Sequence, residues 1–222
     1  MSRIVTVPTV PTVPLARAAA AACICVMGSL AGCSSPSPTF YALRADDAGA
    51  TAPAASTAGP AGDAALAVVV GPVTVPDMVD RPQIVTRNPD NTIEMNEFAR
   101  WATPLKLDIG RVIAADLALR LDTARVSTVD LGMSSPPVWH VRVDIVRIDS
   151  VAGDSVTVEA QWVARPPGHR APVVGHTLAH APVTSRDYGA LVDAHDRALA
   201  IISTEIAAAI RADHTSVRSA TD

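Results

Sequence analysis

Cys33 has the most specific chemistry in this chain, because it ends the sequence Leu-Ala-Gly-Cys at residues 30–33. Arg3 and Arg17 supply positive charge upstream, and residues 18–30 form an uncharged run of small and apolar side chains. This is the order of a secretory signal peptide, and the run is shorter than the roughly 20 apolar residues of a transmembrane helix. A cysteine at the cleavage position is typical of a bacterial lipobox, in which the thiol accepts a diacylglycerol. The pattern therefore predicts lipidation of Cys33.

A second chemically capable group, three arginines and a tryptophan, surrounds a predicted hairpin and helix start: Arg81, Arg87, Arg100 and Trp101. Such a group could bind an anion or a protein partner. In the more ordinary interpretation, Trp101 staples the start of the helix to the sheet, while Arg81 and Arg87 donate to loop carbonyls. The sequence leaves both interpretations open, and we keep the four as candidate partner-binding residues.

The histidines do not form a predicted metal or catalytic site. His176 and His180 lie on a predicted strand, where a separation of four residues spans roughly 13 Å, too far for one ion. His195 falls on the inner side of the last helix, as expected of a satisfied boundary histidine, and Asp193 and Arg197 have the spacing of a helical ion pair. The sequence contains no nucleophile elbow and no glycine-rich phosphate loop. We expect no catalytic residue, no cofactor and no enzymatic activity.

Composition and charge narrow the class of protein further. Removal of residues 1–32 leaves 190 of the 222 residues and takes the formal charge from −4 to −6, because that segment holds two arginines and no acid. A mildly acidic chain without a basic, aromatic-rich run is not expected to bind nucleic acid. Cys23 and Cys25 lie in the removed segment, so Cys33 alone is left and no disulfide or cysteine metal site can form. Aromatic residues make up only 3% of the chain, so the core must consist of Val, Ile, Leu and Ala.

Hydrophobic periodicity defines the elements that must position these residues. The predicted strands are 40–43, 66–75 with a bend at Gly71-Pro72, 83–86, 92–98, 125–129, 138–148 with a bulge near Ile145-Val146, 156–162 and 173–181. One predicted helix begins at Thr103-Pro104, with Thr as the cap and Pro as the first helical residue, and a second begins at Tyr188 and frays after Arg211. The order indicates an α+β fold, a mostly antiparallel or mixed β-sheet with two main helices packed on one face.

The same signals divide the chain into four segments. Residues 1–32 are the predicted lipoprotein signal peptide, and 33–65 a lipidated N-terminus with a short first strand and a low-complexity linker. Residues 66–212 form the predicted domain, and 213–222 a disordered tail. If residues 40–43 pair into the sheet, six residues of chain hold the domain within about 20 Å of the bilayer; a linker free to residue 65 would reach about 100 Å.

Several uncommon sequence motifs in this chain resemble those of the ABC-type transport auxiliary lipoproteins, the PqiC-like family. The similarity is dense over residues 66–121 and thinner afterwards. Two positions depart from the family pattern: Thr103, where Glu is frequent, and Asp116, where Asn is frequent. The matching motifs are the lipobox at Cys33, Phe40-Tyr41-x-Leu43, Val75-Pro76, Arg81-Pro82-Gln83-Ile84-Val85-Thr86-Arg87, Arg100-Trp101-Ala102-x-Pro104-Leu105 and Ile109-x-Arg111-Val112-Ile113-Ala114-x-Asp116-Leu117.

The resemblance implies a role that the residues alone do not. Such lipoproteins are accessory subunits of MCE-type, PqiABC-like systems that move lipids between membranes, so the implied partners are an MCE-domain protein with its permease and ATPase. Ser34 after the lipidated cysteine favours the outer membrane, facing the periplasm, with the inner membrane as the alternative. The leading hypothesis is a non-enzymatic docking component. The alternative is a periplasmic lipoprotein that itself carries a phospholipid in a groove between helices and sheet, and a homo-oligomer is left open.

Overall fold

A computed structural model describes residues 36–45, 66–130 and 138–219 of the chain. Cys33, the signal peptide and most of the linker lie outside the described residues. The compact unit that holds every described strand and helix begins at Pro38.

The small sheet has three strands in the order β1-β4-β3. They are β1 (Thr39–Tyr41), β3 (Gln83–Arg87) and β4 (Ile93–Trp101). The third and fourth strands form the predicted antiparallel hairpin, whose turn places Asn91 at φ 66. The first strand runs parallel to β4. The prediction that the segment around residue 40 pairs into a sheet is confirmed.

The large sheet has five strands in the order β5-β2-β6-β7-β8. In this sheet β2 pairs in parallel with both of its neighbours, β5 and β6, whereas β6, β7 and β8 form an antiparallel meander. Both predicted irregularities are confirmed, since the register shifts between Val70 and Val73 and again between Ile145 and Arg147. The strand bounds are β2 (Ala67–Thr74), β5 (Val126–Ser127), β6 (Val138–Val151), β7 (Ser155–Arg165) and β8 (Val173–Pro182).

Both predicted helices are present, with different ends. The first, α1 (Leu105–Leu121), has Pro104 as its N-cap rather than its first helical residue. Pro104 is extended at ψ 124, and its carbonyl accepts from the N–H of Leu107 at 2.9 Å. A proline suits that position because it has no N–H to leave unpaired. The second helix, α2 (Tyr188–Ser219), continues well past Arg211, where the sequence predicted fraying.

The α+β class is confirmed, but the strands form two sheets where the sequence predicted one. Both helices pack on the inner face of the large sheet, α1 against β2 and β5 and α2 against β7 and β8. Alternation along each strand supplies that face, so Val141, Val143 and Val156 are fully buried against helical side chains such as Ile202 and Ile206. The core is mostly aliphatic, as the composition predicts, but it also contains Trp101, Trp139 and Trp162, because burial of a large apolar ring is favourable.

Candidate functional site

The segment after β1 is held between the two helices by buried carboxylates. The N–H of Leu43 donates to Asp108 Oδ2 at 2.8 Å, and the N–H of Arg44 donates to Asp196 Oδ1 at 2.9 Å. Asp108 belongs to α1 and Asp196 to α2, and the Leu43 side chain is only 3% exposed. Buried backbone N–H groups require partners, and these carboxylates supply them. We call Asp108 and Asp196 the clamp, which fixes the segment that follows β1.

The charge of Arg44 completes this clamp. Its guanidinium donates to Asp193 at 2.8 Å and lies 3.9 Å from Asp196. Burial raises the pKa of Asp196 to about 6, although the N–H and charge of Arg44 act in the opposite direction. Asp193 therefore pairs with Arg44 and not, as predicted, with Arg197, which donates to the carbonyl of Pro182.

Trp101 occupies the interior beside this clamp. Its side chain is 6% exposed, and its ring meets His195 edge-on at 5.6 Å. His195 Nδ1 lies 2.9 Å from the carbonyl of Leu191, so this nitrogen donates and Nε2 accepts from the Ser150 hydroxyl at 2.9 Å. Burial lowers the pKa of His195 to about 4, which keeps the ring neutral. His195 is thus satisfied, as predicted, but in the core rather than at its boundary.

This serine–histidine pair does not have the accessibility of a hydrolase site. Ser150 is 3% exposed and His195 is 4% exposed, so substrate cannot reach either group without unfolding of the core. Their contacts with Trp101 and Leu191 join α2 to both sheets. We interpret the pair as structural.

The three candidate arginines have different environments. Arg87 Nε donates to Asp149 at 3.0 Å and so connects β3 to β6. Arg81 lies with Nη1 2.9 Å from the Met95 sulfur, and Arg100 lies 3.8 Å from Glu97. The predicted bonds from Arg81 and Arg87 to loop carbonyls are replaced by these side-chain contacts. A partner-binding role for Arg81, Arg87, Arg100 and Trp101 stays a prediction; of the four, Trp101 is the least accessible.

A second surface lies on the outer face of the large sheet. Val174 and Leu178 on β8 are 69% and 59% exposed, and β8 has no paired strand at its outer edge within the described ranges. A groove of about 560 Å³ opens beside them, lined on the outer face by Arg142, Gln161 and His176. Gly175 is required on the inner face of the sheet, because a Cβ there would lie 2.1 Å from a ring carbon of the buried Trp162.

His176 and His180 lie on β8 as predicted, and each has its own partner. His176 Nε2 lies 3.0 Å from Glu159, and His180 Nδ1 lies 3.1 Å from the Thr157 hydroxyl. Hydrogen bonds from His176 and Arg147 lower the pKa of Glu159. Among the described residues, no group of three or more His, Cys, Asp or Glu side chains is arranged to hold a metal ion.

The comparisons with known proteins agree with this architecture. The family model of the ABC-type transport auxiliary lipoprotein component matches residues 47–207, most of the chain. This protein belongs to that family. The resemblance drawn from the sequence is therefore confirmed, and the family's members are transport auxiliary lipoproteins. Among the described helices, none has the length and apolar character needed to cross a membrane.

Two crystal structures share the fold. Protein XCC0632 from Xanthomonas campestris, of the DUF330 family, is 19% identical with a TM-score of 0.57, over 80% of this chain and 99% of its own. The crystal structure of an uncharacterized protein is 18% identical with a TM-score of 0.60, over 78% and 99%. A search of curated proteins yields no match.

The sequence analysis missed the clamp residues Asp108 and Asp196. A signal was present, because Asp108 lies three residues after Leu105 and four before Val112, on the apolar stripe of α1. Asp196 lies four residues after Val192 and three before Leu199, on the apolar stripe of α2. A carboxylate on a buried stripe needs an internal partner. The partner itself, a backbone N–H about 65 or 152 residues away, could not be read from the sequence.

Proposed function

We propose that this auxiliary lipoprotein is the membrane-anchored accessory subunit of an MCE-type, PqiABC-like intermembrane lipid transport system, in which it acts as a non-enzymatic adaptor. The family assignment supports a role in transport. The Leu-Ala-Gly-Cys sequence at 30–33 supports an acyl anchor at Cys33, and Ser34 supports the outer membrane, facing the periplasm. The burial of the Ser150–His195 pair favours an adaptor over a hydrolase.

The observation that carries the adaptor role is the open edge of β8. Residues 173–182 contain no Asp, Glu, Lys or Arg, although exposed edge strands are usually protected by such charges. Val174 and Leu178 alternate along this strand and project to the outer face. An extended segment of the MCE partner could add to the edge through backbone hydrogen bonds, with apolar contacts to these side chains.

The alternative, a lipid carrier with cargo between helices and sheet, has less support. The core side chains of β6 and α2 in the described ranges are buried, with Val141, Ile145, Ile202 and Ile206 at 2% exposure or less. Such an interface resembles a close-packed interior, which leaves no room for an acyl chain. The groove beside Val174 is open to solvent and lies on the opposite face of the sheet.

Lysine substitutions on β8 test the adaptor role directly. In Val174→Lys/Leu178→Lys both side chains are exposed, so the fold should be retained while the apolar contacts with a partner are lost. Burying the exposed part of each side chain contributes about 1 kcal/mol, so binding should weaken by about 30-fold. The measurement is co-purification of the MCE component in mild detergent. The matched control is Ile201→Lys on α2, which replaces a side chain that is 39% exposed.

The outcomes separate the two parts of the proposal. Unchanged binding by the double variant would refute docking at β8 and leave the adaptor role intact. Failure of the unaltered protein to recover any MCE, permease or ATPase component would refute the adaptor role itself. A phospholipid that co-purifies with the protein in stoichiometric amount would favour the carrier.

A further inference from the structure

Both phenylalanines of this protein are on its surface. The chain contains only two, Phe40 and Phe98, in a composition with 3% aromatic residues. They are 61% and 49% exposed, whereas Trp101, Trp139 and Trp162 are each at most 6% exposed. A core that already buries three tryptophans would be expected to take up phenylalanine as well. Their exposure therefore points to a contact outside the domain.

The two phenylalanines lie close together on one face of the small sheet. Phe40 pairs with Arg100 in the register of β1 and β4, and Phe98 lies two residues before Arg100, where the register of β4 with β3 shifts. The alternation of burial along β4 places Phe98 on the exposed face with Phe40 and Arg100. Ala99 and Trp101, which alternate with them, are buried. The patch is defined by Phe40, Phe98 and Arg100.

The tether limits what this patch can reach. Phe40 is seven residues after Cys33, a distance of at most about 25 Å when the chain is fully extended. Pro36 and Pro38 lie within these residues and favour an extended, semi-rigid path. The first strand is also the outer strand of the small sheet, so no described strand lies between Phe40 and its surroundings. An acyl chain on Cys33 would hold Phe40 near the lipid headgroups.

The chemistry of the patch suits a bilayer surface. Phenylalanine rings partition into the apolar edge of the interface, and an arginine with an apolar stem can keep its guanidinium among lipid phosphates. Arg100 is 32% exposed and its only ionic contact given by the structure is the long 3.8 Å approach to Glu97. Its Nε is buried without a hydrogen-bond partner, and among the described residues its guanidinium has no close ion pair to give up before it binds a phosphate.

We propose that Phe40 and Phe98, with Arg100 beside them, form a membrane-contact surface that inserts into the lipid interface next to the acyl anchor and orients the domain with its small sheet on the bilayer. This inference rests on the lipidation of Cys33 in the proposed function. It goes beyond that function because it assigns a second, protein-borne contact with the membrane. The open edge of β8 is then left for the protein partner.

Tryptophan substitutions in the full-length, acylated protein test this surface. Phe40→Trp and Phe98→Trp each place one exposed indole in the patch, and the native tryptophans are too buried to dominate quenching. The control is Val174→Trp, which replaces a side chain of the large sheet that is 69% exposed. Each protein is reconstituted into vesicles of phosphatidylethanolamine and phosphatidylglycerol, with or without acyl-chain-brominated phosphatidylcholine. Flotation first establishes anchoring, and fluorescence then measures contact.

We expect all three variants to float with the vesicles. The emission of Phe40→Trp and Phe98→Trp should shift to shorter wavelength and lose intensity in brominated vesicles, whereas that of Val174→Trp should not change. Equal quenching at all three positions in floating protein would overturn the membrane contact and leave the anchor standing. Protein that does not float would overturn the anchor and the contact with it. If the indoles at residues 40 and 98 were shielded only when the MCE component was added, and not by lipid, the proposal would be overturned in favour of a protein partner.

Discussion

Replacement of Asp108 by alanine should release the segment that follows β1. Asp108 Oδ2 accepts the N–H of Leu43 at 2.8 Å in the interior, where Asp108 is 2% exposed. Alanine leaves that N–H buried without an acceptor. We expect the residues after β1 to detach locally before the domain unfolds, because the bond joins two elements that are distant in sequence.

The size of the effect follows from the bond that is lost. An unpaired buried donor costs about 1–3 kcal/mol, and hydrogen bonds to charged groups lie in the upper part of that range. Removal of a buried carboxylate returns part of its desolvation cost. We therefore expect a loss of about 2 kcal/mol, which corresponds to about 30-fold faster exchange of the Leu43 amide hydrogen if exchange follows local opening.

The assay combines hydrogen exchange of residues 41–45 with urea unfolding. Asp108→Asn keeps a carbonyl oxygen for the Leu43 N–H and should lose less. Arg111→Ala is the matched control, because Arg111 contacts the same carboxylate but its side chain is 63% exposed, so its loss should cost under about 0.5 kcal/mol. If Asp108→Ala lost no more stability or protection than Arg111→Ala, the clamp would not hold the segment.

Three further substitutions test the interior. Gly175→Ala places a Cβ 2.1 Å from the Trp162 ring and should lower the free energy of unfolding by about 1–3 kcal/mol through overpacking. The control is Val174→Ala, at an exposed side chain, and equal stability of the two variants would refute the packing argument. Burial raises the pKa of Asp196 to about 6, so its protonated form favours the folded state and stability falls as pH rises from about 4 to about 6. Asp196→Asn should remove up to about 3 kcal/mol of that fall in urea titrations, and an unchanged pH profile would contradict it. The pKa of His195 is lowered to about 4, so stability falls as pH drops below 6.5, and a His195→Gln variant with the same acid dependence as the unaltered protein would exclude this source.

The two buried groups act in opposite directions over the same pH interval. Between pH 4 and 6.5, acidification should stabilise the domain through Asp196 and destabilise it through His195. The unaltered protein should therefore show a nearly flat profile there, and only the single variants should reveal each contribution. His195 and Asp196 are adjacent in sequence, and neither composition nor net charge shows that the pKa of one is lowered and that of the other raised.

Local patterns predicted most of the elements correctly. Alternation identified the meander of β6, β7 and β8 because one of its faces is buried and the other is wet. The bend at Gly71-Pro72 and the bulge near Ile145 were readable because proline, glycine and a phase switch are local signals. Helix ends were less accurate, because Pro104 and the last turns of α2 depend on tertiary contacts.

By itself the sequence determined the lipobox at Cys33, the α+β class and the family, since each depends on residue type and short-range spacing. Only the tertiary structure decided that the strands divide into two sheets and that β1 lies parallel to β4. It also decided that Asp108 and Asp196 hold the backbone of Leu43 and Arg44, and that Phe40 and Phe98 share one exposed face. These facts join residues far apart in the chain, and long-range pairing depends on the packing of whole elements rather than on local preference.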